Sequence, residues 1–460
     1  MKQLRIVFAL LLVGVVSYQC TDKSNKVTTD GLPPEVVATI EKRIQNGQMP
    51  SMALAVIDSS GVKYYNFGKT TLDGKPVDEN TIYEIGSISK VFTAILLAQQ
   101  VLDGELKLED EINDYLPDTV QVPVMGDVPI TFGNLTDHTS GIPRMPTNFA
   151  PANPNNPYAD YTVQQMYEFI SSYEPSRTVG SEYEYSNLAQ GLLGHLLARN
   201  KNTTYEALMV ATIADPLGMN DTRIAFTETM KQSLALGHTG PYVVENWDIP
   251  TLAGAGAIRS STSDMAKFIS ANLGYVDTPL RAAMDMSHKM RHSKAGNMQV
   301  GMGWHIKNGK EGDVIWHNGG TGGYRTFAGF VKETGKGVVL LTNSSTGADD
   351  IGFNLLDSGS ELAEQYFKSD AVEVPESVLQ QYVGVYELQP GFMITITREG
   401  GQLYGQPTAE ERFEIYAEND TVFFQPEVRA KISFQVVDNG MVESLTLFQG
   451  GGGGVARKIE

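Results

Sequence analysis

The chain has 460 residues, 41% of them hydrophobic, which is typical of a globular protein with two or three domains and an ample core. It carries 54 acidic and 35 basic residues, for a formal net charge of −19. Because binding to phosphate backbones requires basic surface, this charge argues against nucleic acid as a partner.

The first twenty residues have the pattern of an export signal. Lys2 and Arg5 precede an apolar run at 6–16 that is too short to span a bilayer. The lone cysteine, Cys20, follows, and a single cysteine excludes an internal disulfide framework. The pattern resembles a bacterial lipoprotein signal, although the two residues before Cys20 are bulkier than usual. We expect an exported protein, periplasmic or anchored to a membrane only through Cys20; simple secretion with an incidental cysteine is the alternative.

The folded part of the chain begins after a polar segment at 21–33, which predicts a tether. A helix is predicted at 34–46. Two alternating apolar runs at 51–57 and 62–68 predict a pair of strands joined by a turn.

Ser87 and Lys90 open a strongly apolar helix predicted at 91–102. Residues three apart on a helix share a face, so the lysine can reach the serine hydroxyl and activate it as a nucleophile. The free N–H groups at a helix start also suit a developing oxyanion. The spacing alone is not specific, because Ser60 and Lys63 repeat it in a predicted hairpin turn.

Tyr185 and Asn187 lie in a polar run just before a helix predicted at 188–200. The polar run favours a solvated loop over a buried aromatic position for Tyr185. The same spacing recurs at Tyr64 and Asn66, but inside a predicted strand, where packed or edge-exposed side chains are expected. Tyr185 and Asn187 are therefore candidates for a second part of an active site.

His317 ends a strand predicted at 314–316 and precedes Gly319 and Gly320. Glycines at this place let a substrate backbone approach the strand closely. A rival histidine, His238, lies in a turn-rich stretch. The alternative role for His317 is a simple cap on the strand end.

Strands at both ends of the first 368 residues, with helices between them, predict one sheet and an inserted helical region. A cleft between them is the natural place for a site. The remaining elements predicted there are a proline-marked loop, a helix, two strands and a closing helix, at 145–158, 263–273, 326–332, 338–342 and 351–367.

After a break at 369–376 the pattern changes to short alternating strands separated by turns. This change predicts a small all-β barrel of roughly 85 residues. The glycine run at 450–454 predicts a flexible loop. The strands predicted in this module lie at 393–396, 422–424, 431–436 and 444–447.

The three motifs, in this order, resemble the serine β-lactamase and penicillin-binding protein superfamily. The tyrosine of the second motif and the stretch 320–324 are similar to its class C branch, and histidine in the third motif is similar to secreted DD-peptidases. The resemblance implies an α/β fold, in which a β-lactamase-like antiparallel sheet is flanked by helices, with an inserted helical region. The C-terminal module resembles the lipocalin-like appendage of such hydrolases. Supporting stretches lie at 135–143, 216–219, 255–261 and 301–304.

The expected division of the chain follows from this resemblance, which covers about 34–368. A linker follows, and the barrel is expected either to cover the cleft or to mediate oligomerisation. The segments are a signal at 1–20, a tether at 21–33, a serine hydrolase domain at 34–368, a linker at 369–375 and a barrel at 376–460.

The resemblance also implies roles for the motif residues. Ser87 becomes acylated, and Lys90 and Tyr185 share its proton. Either Tyr185 is an anion stabilised by nearby cations, or a neutral Lys90 is the base, and the sequence leaves both open.

The remaining motif residues are expected to bind substrate. The N–H groups of Ser87 and Gly320 form an oxyanion hole, and Asn187 binds the substrate amide and Lys90. His317 and Gly319 complete the substrate-binding set. His138 matches a stretch that is usually structural in the family, so we leave it outside the site.

The substrate is the least determined part of this interpretation. We expect a small-molecule or peptide substrate, no cofactor and no metal, because the histidines lack metal-ligand spacing. The first reading is an envelope hydrolase of D-amino-acid peptides (DD-carboxypeptidase-like) or β-lactams; the others are an esterase or D-stereospecific aminopeptidase, and a non-catalytic binding protein. Asn318 replaces a hydroxyl residue that helps bind substrate carboxylates in the family, and Arg325 is a candidate substitute.

Overall fold

The computed structural model describes residues 29–293, 298–364, 366–408, 410, 412–426, 430–437, 440–449 and 452–460. The predicted signal, Cys20 and most of the predicted tether lie outside these residues. Within the described part, no helix is both long enough and apolar enough to cross a membrane.

The described part is built from strands, helices and short turns. The strands are β1 Ser51–Asp58, β2 Gly61–Gly68, β3 Ile82–Glu84, β4 His238–Thr239, β5 Tyr242–Val243, β6 Arg259–Ser261, β7 His292–Ser293, β8 Met298–Val300, β9 His305–Asn308, β10 Asp313–Gly320, β11 Arg325–Val331, β12 Lys336–Thr342, β13 Gly384–Gln389, β14 Phe392–Glu399, β15 Gln402–Pro407, β16 Phe413–Ala417, β17 Val422–Gln425, β18 Ala430–Val436, β19 Val442–Gln449 and β20 Gly452–Lys458. The helices are α1 Pro34–Gln45, α2 Ser89–Leu102, α3 Phe132–Thr136, α4 Val163–Ser172, α5 Asn187–Asn200, α6 Tyr205–Met209, α7 Glu228–Gln232, α8 Ala253–Gly256, α9 Thr262–Leu273, α10 Arg281–Ser287, α11 Asp349–Leu356 and α12 Glu376–Tyr382.

The central sheet joins the two ends of the first region. Its strand order is β2-β1-β12-β11-β10-β9-β8-β7, and its pairs are antiparallel. Strand β1 alternates between two cores: Met52 and Leu54 pack under α1 and α11, whereas Ala53 and Ala55 face α2 and α9. This period of two is the signal that predicted the strand. The sheet and its covering helices confirm the predicted fold class.

Helix α2 is the centre of the larger core. Its apolar residues cover every face, and such a helix must be buried all round. The ring of Phe92 stacks on that of Phe268 from α9, with centroids 4.3 Å apart. This packing fixes the helix that follows Ser87.

The second domain is a closed barrel in which β13 pairs with both β14 and β20. Helix α12 contributes Leu379 and Tyr382 to the barrel core, where Tyr382 stacks on Phe434 at 4.1 Å. An eight-stranded barrel is just wide enough for side chains to fill it. The predicted small all-β barrel is confirmed.

Three local predictions were wrong. The strand predicted at 314–316 runs on to Gly320, so His317 lies inside β10 rather than at its end. The helix predicted at 351–367 ends at Leu356, because the Asp357 carboxylate accepts the N–H groups of Lys310 and Gly359 and turns the chain away. The glycine run was predicted as a loop, but Gly452–Gly454 begin β20 and pair with β19. Glycine backbones make ladder hydrogen bonds as other residues do, and closure of the barrel supplies the partner strand.

The segment between the domains contacts both of them. Asp370 pairs with Lys42 of α1 at 2.6 Å, and the Ser369 hydroxyl donates to the Asn46 side chain. On the barrel side, Tyr366 stacks on Phe424 with centroids 5.5 Å apart. The barrel is therefore linked to the first domain at the end of α1.

Candidate active site

Ser87 lies in a tight turn between β3 and α2. The turn is a 3₁₀ turn over Gly86–Ile88, so α2 begins at Ser89, two residues after the serine. Gly86 has a φ of +51°, and a side chain there would meet the Gly320 backbone at 2.6 Å. Glycine at both positions lets this turn lie directly against the end of β10.

The Lys90 amine contacts three oxygen atoms. Its Nζ lies 3.0 Å from Ser87 Oγ, 2.9 Å from Asn187 Oδ1 and 2.6 Å from the Ala255 carbonyl oxygen. Burial, and the positive charge of Arg144, hold the pKa of Lys90 well below its usual value. A neutral amine is therefore favoured at this position.

Tyr185 lies beside Ser87, with the two side chains within hydrogen-bonding reach. The ring stacks on His138 at 4.6 Å, and Lys90 Nζ lies 4.8 Å from its centroid. Burial raises the pKa of Tyr185, and this effect exceeds the opposing one of the Ser87 hydrogen bond. A neutral phenol is favoured, which argues against the tyrosinate alternative.

His317 is buried in β10, with its ring 4.7 Å from that of His305 and 6.2 Å from that of Tyr185. Its Nδ1–H can donate to the Asn318 carbonyl oxygen at 2.5 Å. Burial, with the neighbouring His305, holds the pKa of His317 well below its usual value. A neutral His317 imidazole carries no positive charge that could stabilise a Tyr185 anion.

Helix α5 positions Asn187 as its first residue. The Ser186 hydroxyl caps the helix by accepting the Ala189 N–H, and the Asn187 N–H donates to the Arg144 carbonyl oxygen. His138 Nδ1 accepts the Ser186 N–H at 3.0 Å. His138 thus helps to orient the segment that carries Tyr185 and Asn187.

Gly319 and Asn318 are each held by a neighbouring residue, although both line the wider opening beside Ser87. A side chain at Gly319 would lie 1.9 Å from the Ile85 carbonyl oxygen, so glycine is required there for packing of the turn against β10. The Asn318 amide donates to Asp349 Oδ2 at 2.5 Å. The expected close approach of a substrate backbone therefore concerns Gly320, which lines the cleft.

The structure separates the motif residues from their sequence duplicates. Ser60 lies at the turn between β1 and β2, where its hydroxyl donates to Asp58 Oδ1. Tyr64 and Asn66 are in β2, and His238 is in β4 with Nδ1 2.7 Å from the Leu236 carbonyl oxygen. By contrast, Ser87, Asn187 and the centre of the Tyr185 ring all lie within 4.8 Å of Lys90 Nζ. The ring of His317 lies 6.2 Å from that of Tyr185.

Two adjoining cavities open at Ser87. We call the smaller one, with a volume of about 150 Å³, the inner cavity, and the larger one, of about 480 Å³, the outer cleft. Both are lined by Ser87, Arg144, Trp247 and Gly320. The inner cavity adds Tyr158, Asn187, Ile249, Leu252, Ala255 and Gly256. The outer cleft adds Tyr183, Tyr185, His305, Asn318, Gly319, Thr321 and Arg325.

Several lining residues were not predicted from the sequence. Arg144 directly follows a stretch that supports the family resemblance, and this adjacency is a signal that could have identified it. Tyr158 and Trp247 come from irregular loops, where no periodicity marks a functional side chain. The described lining residues include two arginines and no carboxylate, although the chain as a whole is strongly acidic.

Comparison with known proteins matches both parts of the chain. A family model described as Beta-lactamase matches residues 36–355, and one described as a domain of unknown function, DUF3471, matches 368–452. A beta-lactamase of Pseudomonas fluorescens is 29% identical over 349 residues, covering 67% of this chain and 93% of that protein. The D-alanyl-D-alanine-carboxypeptidase/endopeptidase AmpH of Escherichia coli K12 is 28% identical over 314 residues, covering 64% and 79%.

Solved structures show the same fold over nearly the whole chain. The octameric penicillin-binding protein homologue from Pyrococcus abyssi aligns with a TM-score of 0.65 at 20% identity, covering 92% of this chain and 99% of that one. At this identity the likeness concerns the fold alone.

Proposed function

The chain belongs to the beta-lactamase family and is a serine hydrolase of the β-lactamase and DD-peptidase type; we propose that it cleaves amide bonds of D-amino-acid peptides or β-lactams through an acyl-enzyme on Ser87. The observation that carries the residue assignment is the set of three contacts at Lys90 Nζ.

Those contacts support Lys90 as the base that activates Ser87. A neutral amine has two hydrogens and one lone pair. The carbonyl oxygens of Asn187 and Ala255 can only accept, so they take both hydrogens. The lone pair then faces the Ser87 hydroxyl, and its proton can pass to Lys90 as Oγ attacks the substrate carbonyl carbon.

Tyr185 is placed to complete the proton transfer. As the scissile C–N bond breaks, the leaving nitrogen needs a proton, and the raised pKa of Tyr185 keeps its phenol protonated. We propose that Tyr185 donates that proton and recovers it from Lys90. Water then hydrolyses the Ser87 ester, and the N–H groups of Ser87 and Gly320 stabilise both oxyanions.

The charge of the cleft supports an anionic substrate. Arg144 and Arg325 line it, and Arg325 is partly committed, because it donates to the Thr321 and Tyr324 carbonyl oxygens. Arginine suits carboxylate recognition, and a peptide ending in D-alanine and a β-lactam both carry a carboxylate beside the scissile amide. The two arginines would bind the substrate carboxylate in place of the hydroxyl residue for which Asn318 is substituted.

The alternative activities fit this cleft less well. A D-aminopeptidase must bind the ammonium group of its substrate, and no described lining residue is an aspartate or glutamate. An esterase remains the second candidate, and one observation favours it: the Asn318 amide is bonded to Asp349 rather than offered to a substrate carboxylate.

A panel of three substrates tests the proposal. We expect a fluorescent penicillin to label the protein, and a D-Ala-D-Ala peptide to be cleaved more efficiently than the same peptide with a C-terminal amide. Ser87→Ala should abolish both reactions. Ser60→Ala, which removes the serine of the duplicate motif, is the matched control and should change neither. Turnover of a p-nitrophenyl ester without either amide reaction would identify an esterase instead.

We also propose that the protein is exported and lipidated at Cys20. The proposal rests on the charged and apolar segments before that cysteine. Incorporation of radiolabelled palmitate that survives Cys20→Ala would refute lipidation at this residue.

A further inference from the structure

The inner cavity lies on the acyl side of the scissile bond. Tyr185, the proposed proton donor, lines only the outer cleft, so the leaving group must lie there. The acyl group then points the other way from Ser87, past Asn187 into the inner cavity. Tyr158, Ile249 and Leu252 supply the aromatic and apolar part of its lining, beside the polar Arg144 and Asn187.

Trp247 forms one wall of the inner cavity. Its ring lies 5.4 Å from that of Tyr158, with an angle of 50° between the planes. A side chain at Gly322 would meet Trp247 Nε1 at 2.8 Å, so glycine lets the indole lie against the loop after β10. These contacts leave the indole little room to move away from the cavity.

A buried ion pair holds the backbone of Trp247 on both sides. Glu84 Oε1 accepts the Trp247 N–H at 2.9 Å, and Arg259 Nη2 donates to the Trp247 carbonyl oxygen at 2.8 Å. Glu84 and Arg259 are each 3% exposed, stand opposite each other in β3 and β6, and approach to 3.3 Å. Neither residue lines either cavity, so the pair acts on the site through Trp247.

A second contact ties the Trp247 loop to the proline-marked loop that carries Tyr158. Asn156 Nδ2 donates to Asp248 Oδ2 at 3.0 Å, and the Asp248 N–H donates to Asn156 Oδ1 at 2.8 Å. Asp248 also pairs with Arg259 at 3.0 Å. The two loops therefore close the inner cavity together.

We infer that Trp247 is the size-selecting residue of the acyl pocket and that Glu84, Arg259 and Asn156 position it, so that the enzyme accepts acyl groups with an apolar part no larger than about one phenyl ring. A cavity of roughly 150 Å³ has room for about one benzene ring, and Tyr158, Ile249 and Leu252 offer that ring apolar contacts, which sets this limit. The inference rests on the proposed function, because it takes Ser87 as the acylated residue.

The test uses p-nitrophenyl esters of acetic, phenylacetic and diphenylacetic acid, which share one leaving group and differ in the acyl group. Each rate is divided by the rate of the same ester with hydroxide, and the burst amplitude counts active sites. We expect the wild-type protein to prefer phenylacetate to diphenylacetate by at least about 10-fold. Trp247→Ala should raise the ratio of diphenylacetate to phenylacetate kcat/KM by about 10-fold.

Two further variants keep the test decisive. Asn156→Ala loosens the loop contact without altering a cavity wall and should raise the same ratio by a smaller factor. Tyr242→Ala, on the neighbouring hairpin and 74% exposed, is the control and should leave the ratio unchanged. A normal burst with an unchanged ratio in Trp247→Ala would overturn the inference alone. Absence of any Ser87-dependent turnover of these esters, together with absence of penicillin labelling, would overturn the proposed function and the inference with it.

Discussion

At the scale of single residues, burial shifts the pKa values of Lys90, Tyr185 and His317 toward their neutral forms. Each is surrounded by other groups of the site, and removal from water favours the neutral form of each. A neutral amine can accept a proton and a neutral phenol can donate one. The site is thus prepared for transfer of the Ser87 proton to the leaving group.

Tyr185→Phe separates these two steps. With Lys90 as base, loss of the phenol should slow amide cleavage by about 100-fold or more, because the amine must leave with a proton. A p-nitrophenyl ester needs no such proton, so its burst rate should fall by much less. Both rates are measured on the same preparation by stopped-flow absorbance. Equal losses for amide and ester would instead identify Tyr185 as the base.

At the scale of elements, the site depends on how closely the Ser87 turn packs on β10. Gly86 and Gly320 meet on one side of the contact, and Gly319 meets the Ile85 carbonyl oxygen on the other. Thr326 of β11 donates its hydroxyl to that same oxygen at 2.9 Å. This contact fixes the distance between the Ser87 and Gly320 N–H groups.

Gly319→Ala should disrupt this contact. The added carbon would lie 1.9 Å from a backbone oxygen, so the strand or the turn must shift. We expect a loss of about 2 to 3 kcal/mol in stability, seen as a lower Tm, together with slower acylation. Gly347→Ala is the matched control, since nothing lies within 4 Å of the carbon it would add. A Gly319→Ala variant with the Tm and acylation rate of the wild type would contradict this account.

At the scale of the whole molecule, the barrel lies apart from the cleft as far as the described residues show. The lining residues of both cavities all come from positions 87–325. The barrel instead contacts the linker, which contacts α1 on the outer face of the sheet. Covering of the cleft by the barrel therefore has no support among these contacts, and a role in oligomerisation stays a proposal.

Removal of residues 371–460 tests the role of the barrel. The cut retains Asp370 and Ser369, which contact α1, and removes Val372, whose N–H donates to the Ala417 carbonyl oxygen of the barrel. We expect kcat/KM for a small ester to stay within about 3-fold of the full chain, which is a change of less than about 1 kcal/mol. A change in mass by light scattering would support oligomerisation through the barrel. A large loss of activity in a folded truncated protein would instead support a contribution to the cleft.

Local sequence pattern determined much of the secondary structure of the hydrolase domain. The apolar runs predicted the longest strands of the hydrolase domain, β1, β2, β10, β11 and β12, and its longest helices, α1, α2, α5 and α9, but not its shorter strands. Helical spacing placed Lys90 beside Ser87. The local sequence pattern did not predict secondary structure that depends on residues distant in the chain. β20 is a strand because β13 and β19 pair with it, and α11 ends early because Asp357 bonds to Lys310. Such contacts leave no periodic trace in the sequence.

The sequence by itself determined the family and the order of the motifs, and it predicted Ser87 as the nucleophile, because these depend on residue type and short spacing. Only the tertiary structure decided the protonation states, which arise from burial and from contacts such as that between Lys90 and Ala255, 165 residues apart. It also decided the shape of the acyl pocket. Trp247 enters that pocket because Glu84 and Arg259, far apart in the chain, meet on paired strands and hold its backbone.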